Sequence, residues 1–190
     1  MPPPRGPKEW GMVQVTTATV ADKFAKIQVL IVDDDPGTRK LVKTLLTTMG
    51  VRIIWEAGDG MAGLELVQKT APDVIILDWQ MPRVQGPNFM RILRSPDTFP
   101  YPAVPVIMVT GHGEYSKVKE AIAVGVNEFL LKPVSPKSLL ERMIAVLFNP
   151  RPMVKKGDYY GPELRSASQL LRGNELTDHA GDTNQDVVMV

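Results

Sequence analysis

The sequence contains no cysteine and no long apolar run. The lack of cysteine excludes disulfides, thiolate catalysis and cysteine-bound zinc, and it is typical of a reducing cytoplasm. No apolar stretch approaches the roughly 20 residues that span a bilayer, so we expect no membrane segment. The net charge is only +1, which provides no overall field toward nucleic acid or anionic lipid. We therefore expect a cytoplasmic protein with neither a membrane nor a direct nucleic-acid partner.

Between residues 27 and 149, short apolar runs alternate with amphipathic segments. Several of the runs are rich in β-branched residues and show no polar alternation, which indicates strands buried on both faces of a parallel sheet. Five such strands, each followed by a helix, predict an α/β domain with helices covering both faces of the sheet. The predicted strands cover residues 29–32, 51–57, 74–77, 106–109 and 128–131.

The segments on either side of this domain are predicted to carry little regular structure. Residues 1–26 begin with four prolines and a glycine in the first seven positions, which indicates a flexible extension. Residues 150–190 are predicted to be a largely disordered tail, with one short helix over 163–172. Because about 40 residues is near the lower limit for independent folding, we expect no folded output domain there.

Charged and polar residues follow the predicted strands at the points where the strands end. The triplet Asp33–Asp35 follows the first strand, Asp78 follows the third, Thr110 the fourth and Lys132 the fifth. The carboxyl ends of parallel strands share one edge of a sheet, where α/β proteins collect functional groups. We therefore expect these carboxylates, the hydroxyl and the ammonium group to share one pocket.

This set of side chains favours a particular chemistry. Close carboxylates repel one another and need a cation, and a hard divalent ion such as Mg²⁺ suits their oxygens. An aspartate beside such an ion and a lysine is suited to accept a phosphoryl group. Each element alone has an ordinary alternative. The triplet Asp33–Asp35 is also a helix cap in a solvated loop, and Lys132 with Pro133 is also a surface turn.

Four stretches carry a resemblance to a known family. They read VLIVDDD from residue 29, VIILDWQMP from 74, PVIMVTGH from 105 and FLLKP from 129. In this order and spacing they resemble the receiver domains of two-component response regulators, here of the single-domain type. The resemblance covers about residues 27–149. It implies a flavodoxin-like (βα)5 fold, a doubly wound α/β architecture whose five-stranded parallel sheet has the order 2-1-3-4-5.

The resemblance also implies roles for individual residues. Asp78 matches the phosphoacceptor, which takes its phosphoryl group from a histidine kinase or a phosphotransfer protein. Asp33 and Asp34 match the acidic pair that holds Mg²⁺ together with Asp78. Gln80 matches the position whose backbone carbonyl completes the metal shell.

Three further matches concern the response to phosphorylation. Thr110 and Lys132 match the hydroxyl and the lysine that contact the phosphoryl group. Phe129 matches the switch aromatic, and Pro133 matches a proline whose preceding peptide bond is often cis. His112 either contacts the phosphoryl group or is an exposed loop histidine. The position before Gly86 holds Gln85 where the family often has aspartate, which is a poorer helix start.

The output is expected to be contact with a downstream protein, with a homodimer as an open alternative. The resemblance places this contact on the fourth helix, the fifth strand and the fifth helix. The output face predicted there consists of Tyr115, Lys117, Val118, Ala121, Phe129, Lys137 and Leu140.

Other functions are favoured less. A transcriptional regulator would use the tail or a partner to bind DNA, but the tail has too few apolar residues for a helix-turn-helix. An aspartate-nucleophile phosphatase would need a second aspartate where this chain has Gln80. A receiver that acts without phosphate would show altered site positions, and here all of them match. We expect no enzyme activity beyond phosphorylation and dephosphorylation of the protein itself.

Overall fold

The computed structural model describes residues 22–111 and 115–164, with the backbone alone at residues 115 and 116. Within these ranges, no helix is long and apolar enough to cross a membrane. Twelve elements are described in these ranges: β1 (Gln28–Val32), α1 (Pro36–Thr48), β2 (Ile53–Ala57), α2 (Gly60–Thr70), β3 (Val74–Asp78), α3 (Gly86–Leu93), β4 (Val106–Thr110), α4 (Tyr115–Ala123), β5 (Glu128–Leu131), α5 (Pro136–Phe148), β6 (Met153–Lys156) and β7 (Tyr159–Pro162).

The first five strands form one parallel sheet in the order β2-β1-β3-β4-β5, which confirms the predicted fold. β3 and β4 are buried along their whole length because helices cover both faces of the sheet. Apolar residues of α2, α3 and α4 pack on one face and those of α1 and α5 on the other. This arrangement brings the carboxyl ends of all five strands to one edge of the sheet.

The helices next to that edge begin in two different ways. Asp35 caps α1, since its carboxylate accepts hydrogen bonds from the backbone N–H groups of Gly37 and Thr38 and from the Thr38 hydroxyl. These bonds lower the pKa of Asp35, the Thr38 hydroxyl having the largest effect. Gln85 precedes α3 and makes no capping hydrogen bond with its side chain, as its residue type predicts. Asp35 therefore acts as a helix cap, which leaves its two neighbours for the site.

At the amino-terminal side, ordered structure begins earlier than the boundary predicted at residue 27. A short helical turn over residues 22–24 buries Phe24 completely, and its ring stacks on Phe148 with centroids 5.9 Å apart. The Lys23 ammonium lies 5.0 Å from the same ring. Phe24 therefore belongs to the core, whereas residues 1–21 lie outside the described residues.

At the carboxyl-terminal side, the structure differs from the predicted disordered tail over part of its length. β6 and β7 form an antiparallel hairpin that pairs Met153 with Pro162 and Lys156 with Tyr159. Its strands read MVKK and YYGP, and neither shows the alternation of apolar and polar residues that would indicate a strand. The short helix predicted for 163–172 lies almost wholly outside the described residues, and its first two positions, 163 and 164, are not helical.

Candidate functional site

Three carboxylates meet at the carboxyl edge of the sheet. Asp33 and Asp34 directly follow β1, and Asp78 is the last residue of β3, the strand next to β1. Each of the three offers an oxygen within 4.8 Å of the others. Asp33 and Asp78 are buried, whereas Asp34 is exposed, so the cluster opens to solvent on the side of Asp34.

Lys132 places the one ammonium group of the predicted set among these carboxylates. Its Nζ lies 3.1 Å from Asp33 Oδ2 and 3.2 Å from Asp78 Oδ1. Lys132 follows β5 directly, and its backbone N–H donates to the carbonyl of Thr110 at the end of β4. The paired strand ends therefore deliver the lysine to the carboxylates.

The electrostatics of the cluster show an unbalanced charge. Burial, and then the nearby charge of Asp33, raise the pKa of Asp78, although Lys132 opposes the shift. For Lys132, burial acts to lower the pKa, but its hydrogen bonds to Asp33 and Asp78 and their negative charges together raise it. When the three carboxylates are ionised, one ammonium group leaves two negative charges in excess.

This donor set fits Mg²⁺. The ion takes oxygen ligands, needs only one or two carboxylates, and fills its remaining positions with water or phosphate oxygens. Asp33, Asp34 and Asp78 are the residues that would hold it, with the backbone carbonyl of Gln80 as the further predicted ligand. Gln80 is exposed, and its backbone N–H bonds to Asp78, so this residue lies beside the cluster.

The other residues predicted to respond to phosphorylation, Thr110 and Phe129, are both buried. Thr110 ends β4 and is buried, one position beyond the residue of β4 that pairs with Asp78. Phe129 is buried in the same apolar cluster as Val118 of α4. The peptide bond between Lys132 and Pro133 is cis.

The predicted output face divides into surface and core residues. Lys137 is exposed, and Lys117 and Leu140 are half-buried. Three members are a correction to that prediction, because Phe129 of β5 is buried, as are Val118 and Ala121 of α4, and none of them offers surface to a partner. The three-residue spacing of Val118 and Ala121 along α4 puts both side chains on the side of the helix that packs on the sheet. The side chain of Tyr115 and all of His112 lie outside the described residues.

Arg39, which belongs to no motif noted in the sequence, contacts the loop that carries the acidic pair. Its guanidinium donates to the backbone carbonyls of Asp33 and Asp34. A signal was present, because side chains in a helix point back toward its amino terminus, and Arg39 lies in the first turn of α1. A basic residue there reaches the loop before the helix.

Comparisons with known proteins agree with this geometry. The model of the response regulator receiver domain family matches residues 29–144. The chemotaxis protein CheY-3 of Vibrio cholerae is 32% identical over 117 residues, which cover 62% of this chain and 88% of that protein. The probable transcriptional regulator ycf27 of Guillardia theta is 36% identical over 126 residues, covering 66% of this chain and 47% of that protein. The solved structure of Vibrio cholerae CheY4 superposes with a TM-score of 0.59 at 35% identity, covering 64% of this chain and 98% of that one.

Proposed function

Because this chain belongs to the receiver domain family of response regulators, we propose that Asp78 accepts a phosphoryl group from a histidine kinase or a phosphotransfer protein. The supporting observation is the cluster in which Asp78 lies 3.2 Å from the Lys132 ammonium, with Asp33 and Asp34 beside it. A phosphoacceptor needs a nucleophilic oxygen, a fixed positive charge and a place for a divalent ion, and this cluster offers all three. The protein is then a signalling module rather than an enzyme for external substrates.

In the proposed transfer, an oxygen of Asp78 bonds to phosphorus as the bond from phosphorus to the donor's histidine nitrogen breaks. The electron pair of the broken bond leaves with that nitrogen. Lys132 contacts an oxygen of the transferred group and balances its charge, and the Thr110 hydroxyl donates a hydrogen bond to it. When bound at Asp33, Asp34 and Asp78, Mg²⁺ supplies the further positive charge that the phosphoryl oxygens need.

The signal then passes to a protein partner through the helices beside β5. Lys117, Lys137 and Leu140 offer surface for this contact. Val118 and Ala121 lie in the same buried apolar cluster as Phe129, so a change in the position of Phe129 would be transmitted through this cluster to α4. A phosphoryl group that attracts Thr110 and Lys132 shifts the population of this packing toward a second arrangement.

The experiment is to incubate the full chain with acetyl phosphate and MgCl2 and to follow its intact mass. We expect the wild-type protein to gain one phosphoryl group and Asp78→Asn to gain none. Asp97→Asn is the control, because it removes an exposed carboxylate far along the chain from the cluster and should label like wild type. Labelling of Asp78→Asn at the wild-type rate would falsify the assignment of the phosphoacceptor.

The alternative of a phosphorylation-dependent transcriptional regulator stays a prediction, as does the cytoplasmic location. The similarity to ycf27 covers 47% of that protein, so more than half of that probable transcriptional regulator lies outside the match. Specific DNA binding by the full chain would favour this alternative.

A further inference from the structure

Arg39 lies beneath the acidic loop, the name used here for residues 33–35. Its Nη1 donates to the backbone carbonyl of Asp33 at 2.7 Å and to that of Asp34 at 3.2 Å. Both carbonyls lie just beyond the end of β1, where the regular pairing of the strand stops. One cationic group therefore fixes two successive peptide units that carry the proposed metal ligands.

The two ligands of the acidic loop depend on this support to different degrees. The Asp33 carboxylate has further contacts, because Oδ1 accepts from the Asp35 N–H at 2.8 Å and Oδ2 accepts from Lys132. Asp34 is exposed, and the direction of its side chain follows from the orientation of its peptide unit. The bond from Arg39 to the Asp34 carbonyl therefore constrains the more exposed ligand.

The guanidinium is itself held in place from the edge strand β2. Its Nε lies 3.8 Å from Glu56 Oε2, and Glu56 also accepts a hydrogen bond from Lys43 of α1. Glu56 thus pairs with two cations on the same helix. The acidic loop is connected in this way to both α1 and β2, through Arg39.

We propose that Arg39 is a positioning residue for the divalent cation at the acidic site. By holding the carbonyls of Asp33 and Asp34, it keeps the two carboxylates aimed at the ion and lowers the reorganisation that binding requires. The inference rests on the proposed function, since it takes this cluster to be a Mg²⁺ site.

The direction of the expected effect separates positioning from simple charge. Arg39 is a cation near a cation site, so by charge alone its removal would make Mg²⁺ bind more tightly. If Arg39 positions the ligands, its removal makes Mg²⁺ bind more weakly. Arg39→Lys sharpens the contrast, because it keeps the charge and loses the planar donor group that reaches two carbonyls at once.

The test is an NMR titration of the isotope-labelled full chain with MgCl2, following amide resonances of the acidic loop. For Arg39→Met we expect a dissociation constant about 10-fold higher than that of wild type, the usual size of a supporting-shell effect. Arg39→Lys should also bind more weakly than wild type. Glu56→Gln, which leaves Arg39 in place but removes its counter-charge, should show a smaller loss in the same direction.

Lys40→Met is the matched control, because it removes an exposed cation from the neighbouring position of α1. It should bind Mg²⁺ as tightly as wild type or slightly more tightly. Thermal midpoints without Mg²⁺ are measured for every variant. A purely structural role would lower the midpoint of the Arg39 variants and leave their dissociation constants unchanged, and this result would overturn the inference.

The two proposals fail in different ways. If the wild-type chain shows no saturable response to MgCl2, the metal site of the proposed function is wrong. If wild type binds and Arg39→Lys and Arg39→Met bind equally well or better, only the positioning role of Arg39 is wrong.

Discussion

The carboxyl end and the amino end of the sheet both contain buried charged side chains, but the surroundings of these side chains differ. At the carboxyl end, three carboxylates share one ammonium group, that of Lys132. At the amino end, Arg94 is buried and, within the described part of the chain, its guanidinium donates to neutral acceptors. These are the carbonyls of Pro102, Val104 and Gly125 and the side-chain oxygen of Asn127, at 2.6–3.0 Å.

This difference distinguishes a ligand-binding site from a buried residue that stabilises the fold. Burial lowers the pKa of Arg94 to about 10, so the group stays charged at neutral pH, and hydrogen bonds to neutral oxygens satisfy its donors. The cluster around Asp78 keeps an excess of negative charge in partly buried surroundings, which a cation relieves. Carboxylates that repel one another at the carboxyl end point to a ligand, whereas a fully hydrogen-bonded guanidinium at the amino end stabilises the fold.

The largest expected effect is the loss of Arg94. Arg94→Met keeps most of the apolar volume but leaves the buried carbonyls of Val104 and Gly125 without this donor, so we expect the free energy of unfolding to fall by about 3 kcal/mol. Urea unfolding measures the change. Arg91→Met is the control, because Arg91 is exposed on the same helix and should change stability by less than about 0.5 kcal/mol. Equal effects of the two variants would contradict the supporting role.

The next effect concerns the hairpin of β6 and β7, which packs at the same end. Arg151 donates to the backbone carbonyl of Asn127 and to that of Glu163, and Gly161 lies against Gly125. We expect a chain ending at Asn149 to be less stable than the full chain by about 2 kcal/mol, since these bonds and contacts are lost. A chain ending at Leu164 should match the full chain in urea unfolding. If the chain ending at Asn149 were as stable, the predicted boundary at residue 149 would stand.

The arrangement of side chains at the carboxyl end of the sheet could be predicted from the sequence, because one simple rule relates short sequence patterns to the geometry of a parallel sheet. Apolar runs gave the strands, alternation gave the parallel sheet, and a parallel sheet brings the ends of its strands together. Asp78 and Lys132 are 54 positions apart, yet this rule places them side by side, and the structure has them 3.2 Å apart. The roles of the individual residues came from the resemblance.

The contacts at the amino end of the sheet could not be predicted from the sequence, because no comparable rule applies there. The hairpin is stabilised by contacts between its backbone and a distant loop, and Arg94 by carbonyls whose direction no residue type reveals. Phe24 was missed for the same reason, since one aromatic residue before a strand shows no periodicity. The meeting of strand ends in a parallel sheet can be predicted from sequence, whereas the docking of a short segment on a loop cannot.

A third prediction tests the stability cost of the unbalanced cluster. The pKa of Asp78 is raised in the folded protein, so the folded state binds the proton more tightly than the unfolded state. Stability is then lost as pH rises from the unfolded pKa through the folded one, and it is not recovered above the folded pKa. Asp78→Asn should therefore stabilise the metal-free protein at pH 7, by on the order of 1 kcal/mol.

The measurement is urea unfolding of Asp78→Asn and wild type without Mg²⁺ at a series of pH values. The advantage of the variant should shrink as pH falls below the unfolded pKa, where Asp78 is protonated in both states. Added MgCl2 should stabilise wild type more than the variant. A variant less stable than wild type at pH 7 would show that the ion pair with Lys132 outweighs burial and the charge of Asp33.

The smallest expected effect probes the contact between the hairpin and the sheet. Gly125 has a φ of +83°, and a Cβ there would lie 2.9 Å from the Tyr160 carbonyl of β7. Gly125→Ala therefore has two destabilising effects. The backbone strain of alanine at a positive φ is present with or without the hairpin, whereas the clash with the Tyr160 carbonyl is present only when the hairpin is. Introduced into the full chain and into the chain ending at Asn149, it should reveal a coupling free energy of about 0.5 kcal/mol. Equal destabilisation in both backgrounds would mean that the hairpin moves aside without cost. The close contact between Gly125 and β7 would then contribute nothing to stability.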